Sequence, residues 1–219
     1  PEANGGQKTQ SQGEKVGAPW VLDWRHLANA RTVVVVESAI NALSVESCEM
    51  PGTVGLAVRG TQTIDGGDWS FLRGKQVLLL IDSLTRCAHA QREIGLSLGE
   101  PPAMKGYPPS ALSLIPRLAE RAGVDTRSGG SITALYTVLA DGDDTDDPIV
   151  DAARAIVDGH IVLSRHLSEQ SIFPAIDIGK SLSRVMADVT DDAHLSAAAM
   201  YRALWAAYEE NRDLILMGA

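Results

Sequence analysis

An α/β fold on a mainly parallel sheet, with helices on both faces, is what this sequence predicts, and three observations carry the expectation. Residues 33–36, 77–81 and 132–138 are apolar stretches expected in the buried centre of the sheet, the first running without the period-two alternation of a half-exposed strand. The segments between them place apolar residues at helical spacing. Asp147-Pro148 puts a capping side chain directly before a residue suited to a first helical turn.

Residues 1–17, rich in Gly, Gln, Lys and Ser, are expected to form a disordered tail. Trp20 and Leu27 bound the first apolar anchors. Thr32-Val33-Val34-Val35-Val36 reads as a buried strand running into Glu37, and Ser38 can cap a helix through Ser47 with Ala39, Ala42 and Leu43 on one face. Residues 53–58 read as a second strand, Arg59-Gly60-Thr61 as a turn, and 76–82 as a third strand ending on Asp82. Strand, helix, strand, short helix, strand is a right-handed α/β pattern. Leu84, Ala88, Ile94 and Leu98 mark a helix, residues 99–109 a Pro/Gly loop, and Ser110 the cap of a helix through Arg121 bent at Pro116. Residues 131–139 form another strand, 148–158 a helix and 161–164 a short strand. Asp192 can cap a last long helix through about Asn211.

The 219 residues suffice for a sizeable core in one or two domains, and 45% apolar composition marks a globular chain. A formal charge of −9 argues against broad electrostatic binding to nucleic acid or anionic lipid. The two cysteines, Cys48 and Cys87, lack metal-ligand spacing and read as core fillers in a reduced, cytoplasmic setting. No apolar run is long enough to span a bilayer, no signal peptide is visible, and Pro1 and Ala219 read as cuts in a longer chain.

An apolar strand ending on aspartate delivers a carboxylate to the sheet edge, where it can hold Mg²⁺ beside nucleotide phosphates. Around it stand Val77-Leu78-Leu79-Leu80-Ile81-Asp82-Ser83-Leu84-Thr85-Arg86, Ala90-Gln91-Arg92-Glu93-Ile94-Gly95, the Gly99-Glu100-Pro101-Pro102 and Gly106-Tyr107-Pro108-Pro109 turns, Asp158-Gly159-His160 and Ser181-Leu182-Ser183-Arg184-Val185-Met186. In these blocks residues 77–219 closely resemble the catalytic domain of type III secretion and flagellar export ATPases, relatives of rotary ATP synthase subunits. The resemblance implies half of a RecA-like core. It makes Asp82 the Walker B aspartate that orders Mg²⁺, Phe173 the aromatic that stacks on adenine, and Arg184 the arginine finger that enters a neighbouring subunit's site. The alternatives are a strand-end cap for Asp82, a core aromatic for Phe173 and an ion pair for Arg184.

Residues 18–76 resemble instead the Toprim domain of primase-like proteins, through Val33-Val34-Val35-Val36-Glu37-Ser38-Ala39, Gly55-Leu56-Ala57-Val58-Arg59-Gly60-Thr61 and Phe71-Leu72-Arg73-Gly74-Lys75-Gln76. That resemblance implies a Toprim-like βαβ half joined to the ATPase half near Val77, with Glu37 and Asp82 as Mg²⁺ ligands. The second aspartate of the Toprim pair falls on Leu84, which cannot coordinate a cation.

Two motifs do not hold up as sites. Gly179-Lys180-Ser181 ends like a phosphate loop but has Pro174 where the loop needs glycine, and reads as a helix start. The aspartates of residues 141–147 lack a calcium loop's ligand pattern and read as a solvated acidic loop. His160 and His166 read as structural.

The function implied is the ATP-hydrolysing motor of protein export, with ATP and Mg²⁺ as ligands. Its implied partners are a homo-hexamer, stalk-like export proteins and chaperone–substrate complexes, at the cytoplasmic face of the inner membrane with peripheral association. No Gly-x-x-x-x-Gly-Lys-Ser/Thr stretch occurs, so hydrolysis is expected to be defective. A Toprim-type nucleic-acid protein and a non-catalytic ring module are the alternatives.

Overall fold

The computed structural model describes residues 19–58, 68–140 and 147–217. Residues 1–17, the Arg59-Gly60-Thr61 turn and residues 141–146 of the acidic loop lie outside them. The chain divides between Val150 and Asp151 into two compact units.

The first unit runs β1 (Trp20–Val21), α1 (Trp24–Asn29), β2 (Thr32–Val36), α2 (Ala39–Ser47), β3 (Thr53–Ala57), β4 (Gln76–Ile81), α3 (Leu84–Ser97), α4 (Pro109–Ala119), β5 (Gly123–Asp125) and β6 (Gly130–Tyr136). One six-stranded sheet has the order β1-β3-β2-β4-β6-β5. The inner four strands are parallel, and β1 and β5 pair antiparallel at the edges. Residues on both sides of Gln76 therefore share one sheet, with β2 hydrogen-bonded directly to β4. The α/β expectation holds.

Alternation along β2 sends its valines into two apolar layers, which is why the run shows no polar face. Val33 and Val35 pack with Leu27, Val54 and Leu56, joined by Phe71, Val77 and Leu79. Val34 and Val36 pack with Ala42 and Ala57, joined by Trp20 and Leu78. Ser38 caps α2 as expected, its hydroxyl accepting from the Asn41 amide at 3.3 Å. Helix α2 lies so close to β3 that a Cβ at Gly55 would collide with the Ala42 carbonyl oxygen. The Gly55 amide donates to Glu46 Oε1 at 2.9 Å across the same contact.

Burial of β4 and β6 departs from the expectation of a fully covered centre. Leu80 and Leu135 face each other in register, yet remain 38% and 56% exposed. The cause is placement: α3 packs against α4, whereas the buried layers gather around β2. Leu84, Ala88, Ala111 and Ile115 are buried in the helical layer. Tyr107 carries the Arg92 guanidinium 5.3 Å from its ring centroid and stacks with His89 at 5.9 Å. Helix α4 begins at Pro109, one residue before the expected Ser110 cap. The Glu100 carboxylate accepts from the Ser110 amide at 3.2 Å and takes over the capping role. Cys87 is half-buried, but Cys48 is exposed and fills no core.

Helix α5 (Pro148–Ile156) starts at the expected signal. Buried Asp147 accepts from the amides of Ile149 and Val150 at 2.7 and 3.3 Å. In the second unit follow β7 (Gly159–Leu163), α6 (Arg165–Glu169), β8 (Ile176–Ser183), α7 (Met186–Val189) and α8 (Asp192–Leu216). Strands β7 and β8 form an antiparallel pair with an irregularity between His160 and Val162. Gly179-Lys180-Ser181 lies inside β8 and is not a helix start. The Ser181 hydroxyl fills the irregularity, accepting from the Val162 amide at 3.0 Å and donating to the Asp177 carbonyl at 2.6 Å. Asp191 caps α8 through the His194 amide at 2.8 Å, in place of the expected Asp192. Along α8, Met200, Tyr201, Leu204, Tyr208, Leu214 and Ile215 form an exposed apolar face, Met200 and Leu204 at 66% and 62%. Among the described residues no helix is long and apolar enough to cross a membrane.

Candidate functional site at the sheet edge

Parallel strands deliver their C-terminal ends to one edge, and Glu37 and Asp82 are the residues that follow β2 and β4 there. Pairing with β6 continues one step past the strands. The Thr137 amide donates to the Ile81 carbonyl at 3.1 Å, and the Thr137 carbonyl accepts from the Leu84 amide at 2.9 Å. Two turns are thereby laced together around Asp82. Ser83 caps α3 through the Arg86 amide at 3.4 Å. The Thr85 hydroxyl donates to the Leu139 carbonyl at 3.1 Å and accepts from its amide at 2.9 Å.

Asp82 is exposed, and its Oδ1 accepts from Thr137 Oγ1 at 2.8 Å. Among the described residues Oδ2 has no hydrogen-bond partner. Glu37 is likewise exposed on the neighbouring strand end, with no partner among the described residues. Neither is a cap locked into its own helix, since Ser38 and Ser83 perform that task. Leu84 is 1% exposed. The position where a Toprim pair needs its second carboxylate is therefore a packing position.

No group of three or more His, Cys, Asp or Glu side chains that could hold a metal occurs among the described residues. The described residues therefore offer no cage of three or more such side chains of the kind a structural Zn²⁺ site uses. Asp82 and Glu37 fit Mg²⁺, which keeps most of its waters and needs one or two carboxylates beside phosphate oxygens.

Phe173 and Arg184 flank β8 in the second unit. Phe173 is 70% exposed, so it is not a core aromatic. Arg184 is exposed and makes no ion pair among the described residues. Its guanidinium donates to the Arg154 and Ala155 carbonyls in the last turn of α5, at 3.0 and 3.4 Å. Its amide donates to the Asp158 carbonyl at 2.8 Å. A cation on the carbonyl end of a helix is favourable, and this contact has no counterpart in the sequence reading.

Both histidines make local contacts. His160 Nε2 lies 3.0 Å from the Lys180 carbonyl oxygen, and His166 Nε2 lies 3.3 Å from Gln170 Nε2. Thr137 escaped the sequence reading. The only signal was a threonine in the apolar stretch 132–139, and Thr133 gives the same signal.

Each unit also has an open hollow. One, of about 820 Å³, is walled by Leu167, Ile172, Trp205 and Tyr208, and is lined by neither Phe173 nor Arg184. The other, about 810 Å³, includes Arg73, Asp125 and Ser128 at the N-terminal ends of β4 and β6, opposite to Asp82. There the Ser128 hydroxyl and the Arg127 amide hold the Asp125 carboxyl below its usual range.

Comparison with known proteins connects these features. Residues 26–183 match the model of the ATP synthase alpha/beta family, nucleotide-binding domain. Residues 190–219 match that of the T3SS EscN ATPase C-terminal domain. A flagellum-specific ATP synthase of Pseudomonas aeruginosa is 59% identical over 147 residues, covering 67% of this chain and 33% of the relative. A type 3 secretion system ATPase of Sinorhizobium fredii is 46% identical over 197 residues, covering 89% of this chain and 41% of the relative. The assembled ATPase EscN of enteropathogenic E. coli superposes with a TM-score of 0.68 at 38% identity, covering 87% of this chain and 50% of that chain. EscN in complex with its central stalk EscO gives 0.63 at 37% identity, covering 89% and 51%. The chain thus spans roughly a third to two fifths of the length of these two curated relatives. The match to the nucleotide-binding model, residues 26–183, includes residues on both sides of Gln76–Val77. The expected Toprim-like fusion has no support.

Proposed function

This chain belongs to the ATP synthase alpha/beta nucleotide-binding family, and on that premise we propose that it is the metal-ordering and finger-bearing part of a protein-export ATPase. The observation that carries the proposal is Asp82 at the end of the central parallel strand β4, one carboxylate oxygen tied to Thr137 and the other free. Bound Mg²⁺ would supply charge neutralisation on nucleotide phosphates. Asp82, with Glu37 on the adjacent strand end, would hold it through water.

The remaining roles follow from exposure and charge. Phe173 offers an open ring face on which adenine stacks. Arg184 carries a permanent positive charge at the surface, and would stabilise phosphate charge in a neighbouring copy of a ring. The reading includes a homo-hexamer in the cytoplasm; the likeness to assembled EscN and to its complex with its central stalk EscO supports assembly of copies around a stalk.

Without the Gly-x-x-x-x-Gly-Lys-Ser/Thr cradle of backbone amides and lysine, this chain alone binds ATP weakly and hydrolyses it poorly. Isothermal calorimetry with ATP and Mg²⁺ tests this directly. Weak heats, diminished by Asp82→Asn, are expected. Micromolar affinity untouched by that substitution would overturn the placement of the metal at Asp82.

A further inference from the structure

We infer that Thr137 is a positioning residue for the metal carboxylate: its hydroxyl holds Asp82 so that Oδ2 points toward an incoming Mg²⁺–phosphate group. This rests on the metal role proposed for Asp82 and adds a residue to it. Thr137 is fixed by its backbone on two sides, since its amide donates to Ile81 and its carbonyl accepts from Leu84. A β-branched side chain has few χ1 choices. The Oγ1 position is consequently set by the sheet rather than by the site. The hydroxyl stands 2.8 Å from Asp82 Oδ1 and 3.5 Å from the Ile81 carbonyl oxygen.

A threonine hydroxyl has one proton to give, and here the shorter contact goes to the carboxylate. That donation occupies one oxygen and stops the carboxylate from rotating freely. Outer-shell hydrogen bonds of this kind orient metal-binding carboxylates, and losing one typically costs 10–100-fold in metal affinity. The bland alternative is a hydroxyl that merely finishes the end of a strand. The two differ in what valine does at this position. Valine is isosteric, favours strands and keeps both backbone bonds, so a finishing role predicts no change at the metal.

The test uses the full chain, isotope-labelled for NMR, titrated with Mn²⁺–ATP as a paramagnetic probe suited to weak sites. Broadening of the Ser83 and Leu84 amides reports metal held at Asp82. Thr137→Val is expected to require on the order of tenfold more probe for the same broadening, with distant amide shifts unchanged. Thr137→Ser, which keeps the donor, should restore the original titration. If Thr137→Val disturbs the fold, Thr137→Ala against Thr137→Ser makes the same comparison. Titrations of Thr137→Val and the unsubstituted chain that coincide, while Asp82→Asn abolishes broadening, would overturn the role of Thr137 and leave the metal at Asp82. Failure of serine to restore would also overturn it. No broadening in the unsubstituted chain would remove the metal role of Asp82 and this inference with it.

Discussion

Arg184 is tied within its own chain by two side-chain hydrogen bonds to the carbonyl end of α5. Both contacts are exposed, so water competes for them and their net contribution is small. Arg184→Ala should lower stability by about 0.5 kcal/mol, read from thermal or urea unfolding. A loss several times larger would mean a structural residue rather than a finger. Phe173→Ala, at an open position, should change stability by under about 0.5 kcal/mol, measured the same way. At the other hollow, Ser128→Ala removes the 2.7 Å hydrogen bond that chiefly lowers the Asp125 carboxyl. An NMR titration should show the Asp125 midpoint rising toward the ordinary carboxylate value. The sign follows from linkage: the contribution of that bond to stability is present above the unfolded pKa and lost as pH falls through the lowered folded one.

Contacts between elements set how much of the molecule could be read in advance. The strand β2 was legible because burial on both faces removes polar residues from the run. The Ser38 and Asp147 caps were legible because short polar side chains mark helix starts. Strand β8 was not, since Gly179, Lys180 and Ser181 carry little strand propensity and fall in the irregularity between the residues paired with β7, where the Ser181 hydroxyl accepts from the Val162 amide. The place of Asp82 at the end of a strand was legible, but its contact with Thr137 depends on a register between strands far apart in sequence. Close approach of α2 to β3 yields a sharper forecast. Gly55→Ala puts a methyl group against the Ala42 carbonyl, where backbone on both sides resists displacement. It should destabilise the first unit by about 1–3 kcal/mol, visible as a lowered unfolding midpoint without loss of helical circular dichroism in the native baseline.

For the molecule as a whole, surface and charge pull in opposite directions. The exposed face of α8, from Met200 to Ile215, presents methionine, tyrosine and aliphatic side chains to water, beyond the scattered apolar residues that any soluble surface tolerates. The formal charge of −9 that every copy carries at neutral pH opposes association through that face. Their behaviour is then that of charge-stabilised colloids with adhesive patches. Near the sequence pI of about 5.0 the repulsion vanishes while the adhesion remains. Light scattering should therefore rise steeply as pH approaches that value. Added salt at neutral pH should produce part of the same rise by screening. Leu204→Glu, a charge set in the middle of the patch, should suppress both.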